Sequence, residues 1–148
     1  MPNDKDPLVS CYFTVEFQGV IVGAFQQIEG LGSSNEVVEY KASGEKGAYV
    51  IHKVPGRITW ENVTLKRGVM GDSMDLWDWR QLVEEGKVGE ARKNGSIVMY
   101  DQNGNEVARW NFTNAWPCRI AGPNADATTN DVAIEEIEIV AEGYERVK

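Results

Sequence analysis

Residues 57–86 read RITWENVTLKRGVMGDSMDLWDWRQLVEEG, and this stretch decides the fold. Its first part, Arg57 to Gly68, has the β-branched and aromatic content of a strand. The chain then turns through Val69-Met70-Gly71 and enters a segment with helical spacing, about residues 72–85. Asp72 or Ser73 suits the N-cap, where a side-chain oxygen accepts from an otherwise unpaired N–H. Asp75 places negative charge at the positive end of the helix dipole. Met74, Trp77 and Gln81 form one ridge, and Leu76, Trp79, Leu82 and Val83 a neighbouring one. Gly86 suits the left-handed position beyond the last turn. Trp77, Trp79 and Leu82 are therefore expected as core anchors of a single helix that plugs a β-fold. A further role for its surface, contact with a neighbouring subunit, stays open.

The flanking segments are read as strands. Cys11, Phe13, Val15 and Phe17 alternate with polar residues, the period of a half-buried strand. Gln18-Gly19 turns the chain into a return strand, Val20 to Phe25. Gly30-Leu31-Gly32 breaks the chain, and Val37 to Lys41 is a third strand. Ile58 and Trp60 lie on one parity and Val63 and Leu65 on the other. That predicts a bulge, or a strand that crosses between sheets. Lys87 to Asn94 reads as a polar loop. Ser96–Tyr100 and Glu106–Phe112 flank DQNGN, whose Asn103-Gly104 is a hairpin turn. Pro117 in NAWPC is expected to end regular pairing or mark an edge. Residues 121–131 read as a surface loop. The last strand, Val132 to Ala141, changes parity at Glu135-Glu136, which predicts a second bulge; Gly143 onward reads as a tail. The fold class is mainly β: a two-sheet barrel or sandwich with one helix. Residues 1–8 are expected as a flexible arm and 9–148 as a single domain.

Residues 42–57, ASGEKGAYVIHKVPGR, form a long glycine-containing connection with an apolar centre. Connections of this length are uncommon in a compact domain unless they serve a function or pair elsewhere. Two readings stand side by side: an extended loop that contacts another subunit, or a further strand of the same sheet at Tyr49 to Ile51.

Composition excludes several classes. A net charge of −8 argues against a broad basic face for nucleic acid. Cys11 and Cys118 are too few and too far apart for a disulfide framework or a zinc site, and fit a reducing compartment. The start, MPNDKDP, lacks the charge and apolar run of a secretory signal, and no apolar run reaches membrane-spanning length. His52 is the only histidine and has no nucleophile motif near it. DQNGNE at 101–106 lacks the ligand run of a calcium loop, and the glycines of 42–56 lack the Gly-Lys-Ser/Thr of a phosphate loop. Neither catalytic residues, a metal site nor a cofactor is expected.

The order of motifs then resembles one family. FTVEFQGVIVGAFQQIEGLG, EVVEYK, the glycine-containing segment ending in PGR, VTLKRG, DLWDW, D-x-x-G-x-x-x-x-R-W from Asp101, W-P-x-x-x-x-G-P from Trp116 and VAIEEIEIVAEG follow in sequence. From about Val9 to Gly143 the chain is similar to the tail-tube proteins of contractile phage tails and phage-like contractile injection systems, which are related to the type VI secretion tube protein. The resemblance implies a non-enzymatic subunit. Six copies would form a ring, and rings would stack into a hollow tube that a sheath drives through a target envelope.

The resemblance also implies that residues 42–57 reach the adjacent ring. Gly44, Glu45, Lys46, Gly47, Tyr49, Val50, Ile51, His52 and Lys53 would form the stacking segment. Implied partners are further copies of the chain, sheath, baseplate or hub and tube-cap proteins, and a cargo protein or DNA in transit. Assembly would take place in the bacterial cytoplasm. Glu39, Lys41, Glu136 and Glu138 are channel-facing candidates, as charged residues on strands. Six copies at −8 each carry −48, which would make an acidic wall that repels nucleic acid or holds a basic protein. Two other readings remain: a minor or initiating ring at the baseplate, and a monomeric β-sandwich that binds a partner through aromatics such as Tyr49 or Trp116.

Overall fold

Alternation along the chain builds a large antiparallel sheet, seen in a computed structural model that describes residues 12–18, 20–44, 47–68, 74–123 and 133–148. Strand β1 (Tyr12–Phe17) pairs with β2 (Val20–Phe25), and Val15 and Phe17 enter the core as their parity predicts. The expected arm and Cys11 lie outside the described residues. Strands β7 (Lys93–Tyr100) and β8 (Glu106–Ala121) form the expected hairpin. Its turn is held by Asp101, whose Oδ1 accepts from the N–H groups of Asn103 and Asn105, both at 2.9 Å. With β3 (Gln27–Glu29), β6 (Val63–Gly68) and β9 (Ile134–Val140), the sheet runs β2-β1-β7-β8-β9-β6-β3. It curls without closing: β2 and β3 are its two edges, joined in sequence at Gln26.

Three expectations change in the second half. Pro117 does not stop β8, which continues through it for 16 residues in all. The register instead shifts between Pro117 and Arg119, a bulge where a missing ladder N–H is tolerated. The Pro117 carbonyl accepts from Arg80 Nη1 at 3.1 Å. The presumed tail holds a strand, β10 (Gly143–Arg146), which pairs with β8 and buries Tyr144. The parity break at Glu135-Glu136 is no bulge, since β6 and β9 pair without a register shift. Glu135 keeps its place on the buried face and meets Arg67 there.

Helix α1 spans Asp75–Glu84. Asp72 and Ser73 lie outside the described residues; Met74 sits at the N-cap without a side-chain cap, and Asp75 and Asp78 supply the first-turn charge. The other end closes as the sequence predicts. Gly86 has φ 81°, its N–H donates to Val83 O, and Lys87 N–H donates to Leu82 O, the paired bonds of a glycine C-terminal motif. The segment read as a polar loop contains a one-turn helix, α2 (Val88–Ala91), with Ala91 fully buried.

Trp79 is the core anchor, 1% exposed, with its ring 4.8 Å from Phe17 and its Nε1 donating to Ala91 O at 2.6 Å. Leu82 packs half-buried beside this core. Trp77 departs from the expectation and is 39% exposed. Residues two apart sit about 200° around a helix, so one core cannot hold both tryptophans.

Residues 42–57 are not a loop. Their described residues finish β4 (Ser33–Ser43) and make up most of β5 (Tyr49–Trp60), the two strands of a separate ribbon, paired with each other and not with the large sheet. The parity switch after Trp60 marks the point where the chain leaves the ribbon and enters β6, one of the two expected explanations.

Replacing Trp79 with Ala is expected to cost about 3–5 kcal/mol, the loss typical of a buried aromatic. Trp77→Ala should cost less, and urea unfolding of both variants beside the unaltered chain checks the order.

Candidate functional site

The ribbon is two-faced because its register is fixed. Val38 opposes Val54, Tyr40 opposes His52 and Ala42 opposes Val50, which gives one face of aliphatic and aromatic side chains. The Tyr40 and His52 rings stack at 5.0 Å. On the other face Glu39 opposes Lys53, with Nζ to Oε1 at 3.9 Å, Lys41 opposes Ile51, and Ser43 opposes Tyr49. Tyr49 is 80% exposed, and Val37, Val38, Tyr40, Val50, Ile51, Val54 and Ile58 are all exposed. So large an apolar surface on a two-stranded element is unusual, because such a ribbon is marginal in water unless something covers it. Of the expected stacking residues, Gly44, Gly47, Tyr49, Val50, Ile51, His52 and Lys53 lie on the ribbon; Glu45 and Lys46 lie outside the described residues.

The ribbon's base is locked to the body by a residue that the sequence reading assigned to a tail. The Tyr144 hydroxyl accepts from Gly32 N–H at 2.8 Å. It lies within hydrogen-bonding reach of the carbonyls of Gly30 and Glu61, both at 3.1 Å, and of Gly32. Gly30 and Gly32 lead into β4, and Glu61 follows β5, so one phenol holds both legs. Trp60 packs against the Tyr144 ring at 4.9 Å. Gly30 is required here: its φ is 90°, and a Cβ would come within 2.1 Å of Asn62 O.

Beside the ribbon's base lies the outward face of β3, β6, β9 and the end of β8. Glu136 and Glu138 share it with Glu29, Lys66 and Arg119. Lys66 Nζ is 3.8 Å from Glu29 Oε1, and Arg119 Nη1 is 3.4 Å from Glu136 Oε1. Glu39 and Lys41 stand apart from these on the ribbon. The strand-spaced sequence pointed to the glutamates, but not to the cations that the pairing of distant strands sets between them.

The inward face of the same strands holds a buried ion pair. Arg67 Nε meets Glu135 Oε1 at 2.6 Å, with both side chains 3% exposed. Trp77 Nε1 donates to Glu135 Oε2 at 2.9 Å, and the Arg67 guanidinium lies over the Phe25 ring. Trp77 thus docks the helix through its N–H. Burial, then the nearby Glu138 carboxylate, pushes the Cys118 thiol up, so it is no activated nucleophile. Among the described residues no cluster of metal-ligating side chains occurs, and no helix is long and apolar enough to cross a membrane.

A protein-family model described as T4-like virus tail tube protein gp19 matches residues 9–145. The chain belongs to that family. This tail tube protein is also similar to a chain in the sheath-tube complex of an extracellular contractile injection system, PVC, in the extended state. The two share 27% identity and a TM-score of 0.78, over 96% of this chain and 92% of that one. A chain of the PVC sheath/tube terminator is 26% identical at TM-score 0.77, over 97% and 99%. Hcp1 of Flavobacterium johnsoniae shares the fold, at 15% identity and TM-score 0.54, over 92% and 94%. No curated protein matches the sequence. The tail tube protein is a structural component of phage tails or phage-tail-like injection particles and not an enzyme.

Tyr144→Phe keeps the ring and removes the hydroxyl from the backbone groups of three residues, Gly30, Gly32 and Glu61. A loss of about 1–3 kcal/mol is expected by chemical denaturation. Burial, foremost, raises the Tyr144 phenol above its ordinary value of 10.0. The unfolded tyrosine therefore ionises first as pH rises through 10. This contribution is complete below pH 10 and fades between there and the raised folded value. An alkaline stability titration should show that loss in the unaltered chain and not in Tyr144→Phe.

Proposed function

We propose that this chain is the main inner-tube subunit of a contractile injection particle or contractile phage tail. Six copies form a ring, and rings stack into a hollow tube inside a sheath. The exposed apolar face of the ribbon supports this reading most directly, because it needs a cover that none of the described residues supplies. In this reading the cover is the next ring. Val38, Tyr40, Val50 and Val54 lie against it, and the Glu39–Lys53 side stays towards water. Neighbouring copies pair at the free edges of the sheet, β3 on one side and residues 116–121 of β8 on the other, which removes edges that would otherwise recruit other chains. Further partners in this reading are sheath, baseplate or hub and cap proteins, with assembly in the bacterial cytoplasm and a protein or DNA passing through the bore. The near-equal similarity to the sheath/tube terminator supports a second reading, a ring at the end of the tube.

Replacing Tyr40 and Val50 with Ser should leave rings in sedimentation but abolish long tubes in negative-stain microscopy. The residues lie outside the core, so stability should stay within about 0.5 kcal/mol. Replacing Val38 and Val54 with Ser should have the same effect, whereas exchanging Glu39 and Lys53 should leave tubes. Tubes of normal length from the serine variants would overturn the stacking role.

A further inference from the structure

The chain's net charge of −8 is not carried by the outward face of β3, β6, β9 and β8. Each cation there is set among carboxylates. Lys66 lies directly across from Glu136 in register and 3.8 Å from Glu29. Arg119 lies across from Glu138 and 3.4 Å from Glu136. Glu138 also accepts from Asn62 Nδ2 at 3.0 Å. Two cations against three carboxylates leave −1 on this face, and every charge has a partner.

The same four strands are placed to make a wall. Strand β3 is an edge of the sheet, and β7 pairs with β8 only as far as Ala115. Residues 116–121 of β8 therefore lie beyond the last rung with β7 and pair with β9. Copies on either side can extend this four-stranded piece. The ribbon continues directly from β3 and β6, so the piece lies in line with the element that reaches the next ring.

We infer that this face lines the tube's bore and is a charge-paired, non-adhesive surface, through which a polymer of either sign passes without a bound state. The inference rests on the tube reading above. A charge already paired on the wall has little to offer a passing phosphate or ammonium, and counterion release, the main drive for polyion binding, is small on a face of −1. Six copies would present −6 to the bore, far from the −48 that whole-chain charge implies. The wall therefore does not select cargo by charge, and any retention of cargo takes place elsewhere.

The test unpairs the face in both directions. Tubes are assembled with a fluorescent single-stranded oligonucleotide or a fluorescent oligolysine, washed at low salt, and treated with nuclease or trypsin. Unaltered tubes should protect neither probe. E136K/E138K takes the face from −1 to +3 and should protect at least tenfold more oligonucleotide, released at high salt. K66E/R119E takes it from −1 to −5 and should do the same for oligolysine. Protection of either probe by unaltered tubes would overturn the non-adhesive wall. Probe bound by the variants but fully degraded would place the face outside the bore and overturn the inference, as would no gain in either variant. If lysine or glutamate variants do not assemble, E136Q/E138Q and K66Q/R119Q are read by the same criteria with smaller gains. Absence of tubes from the unaltered chain would instead remove the tube reading beneath.

Discussion

The geometry of the ribbon depends on one buried phenol. A two-stranded ribbon has no core of its own, so its direction must be set where it leaves the body. Tyr144 does this from β10, a strand distant in sequence, by engaging backbone groups of Gly30, Gly32 and Glu61. Trp60 packs on the ring, and Gly30 takes a backbone conformation that brings it against Asn62 closer than any side chain allows. These contacts join both legs of the ribbon to the chain's last strand. A ribbon aimed by several simultaneous contacts keeps its register better than one aimed by a free loop.

A second constraint fixes the strands beneath. Glu135 stands where the alternation of β9 demands an apolar residue, and Arg67 does the same in β6. Removing two charges from water is costly, and the cost is offset only when the pair is close and further hydrogen-bonded. The 2.6 Å contact and the Trp77 N–H on the second Glu135 oxygen meet that requirement. The pair therefore ties β6, β9 and α1 together, and accounts for a tryptophan that faces partly outward. The opposite face of the same two strands, with Lys66, Glu136 and Glu138, is wet and charge-paired. One pair of strands thus separates a desolvated ion pair on one side from a solvated network on the other.

Family membership and geometry agree about what this chain is for. The tail tube match spans nearly the whole chain, and the two features that stand out physically are an uncovered apolar ribbon and an open sheet. Both are features that the proposed assembly of copies would complete.

The sequence alone determined the β-rich class, the first and DQNGN hairpins, the place and C-terminal end of the helix, and the break between Trp60 and Val63. Each is written in local signals: a period of two, an Asn-Gly turn, a glycine after the last helical turn. The order of motifs was also enough to point to the tube family. Tertiary structure decided what depends on partners distant in the chain. It made residues 49–57 a return strand, because only pairing with 33–43 distinguishes a strand from an extended loop. It separated Trp79 from Trp77, carried β8 through Pro117, and recruited the apparent tail as the strand that bears Tyr144. It also set Lys66 and Arg119 among the glutamates, since cross-strand neighbours are fixed by register, and register by the burial of the opposite face.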